Sequence, residues 1–161
     1  MHANAVRVVS AAAELGLAIE VRAFPEGTRT AEDAAAAIGV EVGQIVKSLV
    51  FLLDGAPVVA LVSGSNRLDE ARLAAVLGGR HAGRADADAV RAATGFPIGG
   101  VPPFGHPSVL PTAVDEDLLT YEEVWAAAGT PREVVALSPA DLVRVTGGTV
   151  ARLRVETADE S

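Results

Sequence analysis

The sequence predicts an α+β fold in which a mixed, barrel-like sheet is flanked by helices. Apolar runs rich in β-branched residues alternate irregularly with alanine-rich stretches of helical spacing. Hairpin signals join some of the neighbouring runs. Half of the 161 residues are hydrophobic and only 4% are aromatic, so the core must be built from Val, Leu, Ile and Ala.

From the start of the chain, Val6, Val9, Ala13 and Leu17, with Ala5, Ala12 and Leu15 close by, fit an amphipathic helix that stops at Gly16. Ile19 to Phe24 alternates as a strand does, and Pro25, Gly27 and Thr28 form a loop. Thr30 is placed as an N-cap with Asp33 three residues on, for a helix that ends at Gly39. Ile45 to Leu53 is almost wholly apolar and reads as a buried strand. Asp54-Gly55 is a hairpin turn, and Pro57 to Ser63 is the returning strand. Leu68 to Leu77 has helical spacing and ends at Gly78-Gly79; Asp86 to Thr94 is a short helix closed by Gly95.

The stretch TGFPIGGVPPFGHP, Thr94 to Pro107, is too dense in glycine and proline for a regular element and must be a structured loop. Ser108 to Asp115 reads as a strand. Tyr121 to Ala128 reads two ways: its alanines favour helix, whereas Gly129-Thr130-Pro131 and the apolar run after it favour a hairpin. Ser138-Pro139 starts a helix, with Ser138 as cap, that ends at Gly147-Gly148. Val150 to Val155 adds a last strand, and the tail after it is polar. No repeat or linker divides the chain, so one domain over 1–161 is expected, its core at about 6–155.

Composition narrows the chemistry. The chain has no cysteine, which excludes disulfides, thiolate catalysis and cysteine-ligated metal. His2, His81 and His106 show no metal-ligand spacing, so no metal and no cofactor are expected. No run approaches the length of a membrane span, and a cytoplasmic protein is expected. The net charge of −8 and pI near 4.8 argue against a broad grip on duplex nucleic acid, DNA included.

Lys47 is the most informative residue. It is the only lysine, beside twelve arginines, and it stands in the middle of the apolar run IVKSLVFLL. Period 2 puts it on one face with Ile45, Leu49 and Phe51. A lone ammonium there is costly unless it is paired or faces a cavity. It reads as a catalytic or substrate-binding amine, or as a lysine that snorkels to water. In the loop, Gly95, Gly99, Gly100 and Gly105 allow close approach of backbone to a ligand, while Pro97, Pro102, Pro103 and Pro107 stiffen it. Such a loop suits a carbonyl or oxyanion site, and serves equally as scaffold. His106 and Asp115 follow; with Ser48 they would form a triad, but no GxSxG elbow surrounds any serine.

These features occur in a familiar order. A TAEDAA helix precedes GQIVKSLVF, a hairpin leads into ALVSG, and LAAVLG is followed by ATGFPIGGVPPFGH. A strand then ends at Asp115, and AAGTP stands before LSPADL. The chain thereby resembles the YbaK/EbsC/ProX family of aminoacyl-tRNA deacylases, relatives of the editing domain inserted in bacterial prolyl-tRNA synthetases. The resemblance runs from about Val6 to Gly147. It implies a distorted barrel of mixed strands and a free-standing enzyme that hydrolyses the ester of a wrongly charged tRNA, with cysteine, alanine or a similar small acyl group.

It further implies that Lys47 is the essential lysine and that Gly99, Gly100, Pro103 and Gly105 form the loop whose amides face the substrate, Gly100 with a catalytic part. Phe24, Thr30, Ser48 and Asp115 fall where relatives line the pocket, and His106 has a structural or positioning role. The implied partners are the acceptor end of aminoacyl-tRNA and a synthetase. Two other readings stand beside it: a module that binds aminoacylated ends or a synthetase without turnover, and a small-molecule esterase using Ser48, His106 and Asp115.

Overall fold

A computed structural model describes residues 2–24 and 30–156. The loop expected at Pro25, Gly27 and Thr28 and the tail after Glu156 lie outside the described residues. The chain runs α1 (Ala3–Glu14), β1 (Val21–Ala23), α2 (Ala31–Ile38), β2 (Ile45–Leu53), β3 (Ala56–Ser63), α3 (Glu70–Val76), β4 (Ala82–Arg84) and α4 (Ala87–Thr94). It continues through β5 (Thr112–Asp115), β6 (Val124–Ala127), β7 (Glu133–Leu137), α5 (Pro139–Thr146) and β8 (Thr149–Ala151). Short 3-10 turns stand at Val42–Gln44 and Glu116–Thr120. No helix among the described residues is long and apolar enough to cross a membrane.

All eight strands join one mixed sheet in the order β1-β7-β6-β2-β3-β5-β8, with β4 also on β2. The β2–β3 hairpin is its spine. Asp54 and Gly55 both hold positive φ (50° and 87°), as a two-residue turn between Leu53 and Ala56 requires, and this fixes the register from Leu53↔Ala56 to Val46↔Ser63. β3 is apolar throughout because both faces are covered: Val59 and Leu61 enter one core cluster, and Val58, Ala60 and Val62 another. The first cluster takes in α1, α4, α5 and the loop residues Phe96, Val101, Phe104 and Leu110; the second lies under α3. A third joins α2 to Ile45, Trp125 and Val134.

The helix ends follow their signals. Thr30 accepts from the Asp33 amide at 3.0 Å, Asp86 from that of Ala89 and Ser138 from that of Asp141; Gly39, Gly95 and Gly147 close their helices in the left-handed region. Three expectations change. The buried face of α1 is Ala5, Val8 and Ala12, whereas Val6 and Leu15 are exposed, because the helix is rotated to set its small residues against the core. β1, β5 and β8 are shorter than read: ladder pairing is confined to Val21–Ala23, Thr112–Asp115 and Thr149–Ala151, and of the expected last strand beyond Ala151 only Arg154 makes an isolated bridge, to Leu68. Tyr121 to Ala128 resolves as the first strand of a hairpin: β6 pairs with β7 and, in parallel, with Ile45 and Val46 of β2, so pairing overrides the helical preference of its alanines.

β4, not anticipated, is tied down by the hairpin turn. Asp54 accepts the amides of Arg80 and His81, each at 3.0 Å, and its own amide donates to His81. The Arg80 amide, then that of His81, hold the Asp54 carboxyl below the ordinary aspartate range. A group shifted this way adds stability above its unfolded pKa and loses it as pH falls through the folded value. Asp54→Ala is therefore expected to lower the thermal midpoint at neutral pH and to flatten its decline in acid. Midpoints measured across the carboxylate range check this; parallel curves for variant and wild type would contradict it.

Candidate functional site

β3 covers one edge of β2 from Val46 to Leu53. The opposite edge is shared: β6 pairs with Ile45 and Val46, and β4 with Phe51 to Leu53. Residues 47–50 thus have no strand opposite them on that edge. Backbone polar groups seldom stay buried without partners, and here the sheet parts around a cavity of about 380 Å³. Its walls take in all of Ile45 to Phe51, with Thr30 and Ala34 from the α2 side, Arg84 of β4 and Ala85 just after it, Val90 of α4, Ile98, Gly99 and Val101 of the loop, and Trp125 to Ala127 of β6. Pro131 and Val134 complete it. The lining is chiefly apolar, with few polar groups, as small-molecule sites are.

Lys47 stands in this wall, half-buried, opposite Val62 in the hairpin register. Its Nζ donates to the backbone carbonyl of Asn66. Burial lowers its pKa below the usual lysine value, and the charges of Glu32 and then Asp115 work against that shift. Asn66 is held in turn: its Nδ2 donates to Asp115 Oδ2 at 2.8 Å and to Asp117 Oδ2 at 2.7 Å. Asp115 is fully buried and also accepts the amides of Ser63 and Asp117, each at 3.0 Å. Arg154 braces Asp117 at 3.3 Å. The expected pocket residue Asp115 therefore lies behind the wall, where it fixes the loop that carries the acceptor of Lys47.

Of the other anticipated site residues, Thr30, Ser48 and Gly99 line the cavity. Ser48 Oγ is buried with no hydrogen-bond partner, as is Trp125 Nε1. Phe24 packs in the α2 cluster under the Arg22 guanidinium and is not in the wall. Gly105 sits against Ala11, where an added Cβ would lie 3.0 Å away. Pro103 is buried in the loop, and His106 Nε2 donates to the Pro102 carbonyl at 2.8 Å. Burial lowers the His106 pKa, favouring the neutral ring. Ser48, His106 and Asp115 make no hydrogen bonds to one another, so the structure brings no triad together.

The loop is core-packed, with Phe96 and Phe104 among its buried side chains. Gly100 is buried too, and its amide donates to the Pro97 carbonyl at 2.9 Å, so the donor expected to meet a substrate oxygen is already in use. Its lack of a side chain has another reason. A Cβ there would lie 2.8 Å from the Gly129 carbonyl oxygen and the Thr130 Cα, so the loop and the β6–β7 turn meet backbone to backbone. Gly99, at φ 85°, is the glycine that reaches the cavity. Asn66, Trp125 and Arg84 were not anticipated; the one sequence signal among them is that Trp125 is the sole tryptophan.

The fold and this cavity define a small α+β protein with a slit opened in its sheet beside a single lysine. Residues 25–145 match the family described as the aminoacyl-tRNA editing domain, and the chain belongs to that family. It is 30% identical over 132 residues to EbsC of Enterococcus faecalis, named as a candidate Cys-tRNA(Pro)/Cys-tRNA(Cys) deacylase, covering 81% of this chain and 80% of that protein. It is 38% identical over 110 residues to a proline–tRNA ligase of Maridesulfovibrio salexigens, 68% of this chain but only 18% of that enzyme. A crystal structure described as a candidate trans-editing enzyme for prolyl tRNA synthetase superposes with a TM-score of 0.92 at 47% identity, over 97% of this chain and 99% of that one. The crystal structure of hypothetical protein APE2540 superposes at 0.79 with 32% identity, over 89% and 96%.

The backbone contact at Gly100 has a direct consequence. Gly100→Ala must separate two main-chain segments, and overpacking of this kind costs about 1–3 kcal/mol. A urea titration is expected to show that loss; a wild-type midpoint would mean that the turn does not clamp the loop.

Proposed function

We propose that this chain is a free-standing trans-editing hydrolase that cleaves the ester bond of misacylated aminoacyl-tRNA, with cysteine, alanine or a similarly small amino acid as the acyl group. The observation that carries the reading is the slit at the open edge of β2, apolar in its walls and with Lys47 on its flank. Family membership and the likeness to EbsC support it. The partner is the acceptor end of aminoacyl-tRNA. A synthetase that raises its local concentration is a second partner, in keeping with the matches to proline–tRNA ligases. Such work belongs to the cytoplasm, and one domain spanning 1–161 would carry it.

The chemistry asks little of the protein. An aminoacyl ester is already activated, so hydrolysis needs a placed water, a polarised carbonyl and a pocket for the acyl group. A protonated Lys47 has three donors, of which the Asn66 carbonyl takes one. The others suit a carbonyl or phosphate oxygen of the substrate. With no triad assembled, direct attack by water replaces an acyl-enzyme, and a substrate hydroxyl such as that of the terminal ribose takes the acid-base part. Ser48, Thr30 and Gly99 line the acyl and ribose space.

The test is release of amino acid, under multiple turnover, from tRNAs mischarged with different amino acids. Wild type is expected to turn over one or a few small acyl groups. Lys47→Ala should lose about 100-fold or more, the usual scale for removing one electrostatic donor, with its circular dichroism unchanged. Because burial depresses the Lys47 pKa, activity that needs the ammonium falls as pH rises through that lowered value. A rise there would assign Lys47 as a base. No release from any tRNA would leave the non-catalytic binding module as the better reading, and near-wild-type turnover by Lys47→Ala would remove the site.

A further inference from the structure

Beside the slit lies a second concavity of about 610 Å³, whose walls include His2, Asn4, Arg91, Pro97, Arg132 and the turn at Thr130-Pro131. Pro131 lines both, so the two adjoin at that residue. We propose that this cleft holds the phosphate backbone of the RNA strand whose aminoacylated end enters the slit. The inference rests on the function proposed above and adds to it where the strand runs.

The distribution of charge points there. The chain carries a net −8, and four of its twelve arginines are neutralised by ion pairs among the described residues. Arg72 pairs with Asp69 and Glu156, Arg144 with Asp141, Arg152 with Glu156, and Arg154 with Glu116 and Asp117. Those arginines lie on α3, α5 and the C-terminal segment. Arg91 on α4 and Arg132 in the β6–β7 turn are exposed, and their guanidiniums have no hydrogen-bond or ion-pair partner among the described residues. Other arginines also lack an ion pair among the described residues, Arg84 in the slit wall being one, but Arg91 and Arg132 are the two that line one concavity together, next to the slit, and so form a local anion surface on a repulsive background. The cleft has one carboxylate, that of Glu133; it is buried and accepts from Thr130 Oγ1 at 3.4 Å, so the accessible charge is that of the two guanidiniums. Arginine forks suit phosphate oxygens. A strand held by two such contacts reconciles use of RNA with an acidic pI.

The experiment uses an unacylated RNA hairpin with a single-stranded 3′ end, titrated by fluorescence anisotropy at several salt concentrations. Three proteins are compared: wild type, Arg91→Ala/Arg132→Ala, and the charge-matched Arg72→Ala/Arg144→Ala, whose arginines are already ion-paired. Each phosphate contact contributes about 0.7–0.9 to the slope of log K against log salt. The cleft pair should therefore raise Kd by about 10-fold and flatten the slope by roughly 1.5, while the charge-matched pair leaves both unchanged. Unchanged binding by the cleft pair overturns the proposal, whether or not that pair weakens binding to a synthetase. Equal loss in both pairs overturns it as well, since only net charge would then matter. Because the probe carries no amino acid, the cleft stands or falls apart from the deacylation screen.

Discussion

The organising constraint is that β2 has one edge fully paired and the other divided between two strands. β3 follows it for the length of the hairpin, whereas β6 and β4 each claim one end of the opposite edge. A sheet that parts in this way must either fill the gap with side chains or leave it open to a ligand, because exposed backbone groups cannot be sealed in apolar surroundings. Here the gap stays open as a slit. The elements around it serve that geometry: Asp54 anchors β4 at one end, pairing with β7 steadies β6 at the other, and Gly100 lets the glycine-proline loop close against the β6–β7 turn.

Lys47 depends on the same arrangement. A half-buried ammonium needs a fixed acceptor, and the Asn66 carbonyl is fixed by a chain of polar contacts that runs through Asp115 and Asp117 to Arg154. Asp115, wholly buried, spends its acceptor capacity on two amides and the Asn66 side chain. A buried carboxylate satisfied in this way is a rigid support. Its charge also favours the protonated lysine against the desolvation that opposes it.

Much of this was legible in the sequence wherever the signal is local. Thr30, Asp86 and Ser138 cap their helices as read, and Asp54-Gly55 turns the hairpin, because caps and turns are decided within three or four residues. Lys47 was legible because a single charge inside an apolar strand has few explanations. β4 was not: it is three residues long, contains Gly83, and exists because β2 and Asp54 hold it. β6 was ambiguous because its alanines prefer helix and only parallel pairing with Ile45 and Val46 makes it a strand. Asn66 left no trace because it presents a backbone carbonyl, which any residue would supply. The density of glycine and proline marks the loop as structured, but backbone packing against another turn cannot be told from backbone approach to a ligand in a linear sequence.

The central claim is that the open edge of β2 receives the acylated end of the substrate. A crystal structure of the protein with a non-hydrolysable amide analogue of aminoacyl-adenosine tests it most directly. The account predicts the analogue's acyl group in the slit along residues 47–50, between β4 and β6, with an oxygen of the analogue within hydrogen-bond distance of Lys47 Nζ. An analogue bound elsewhere on the protein, with the slit empty and Lys47 still bonded to Asn66 alone, would contradict it.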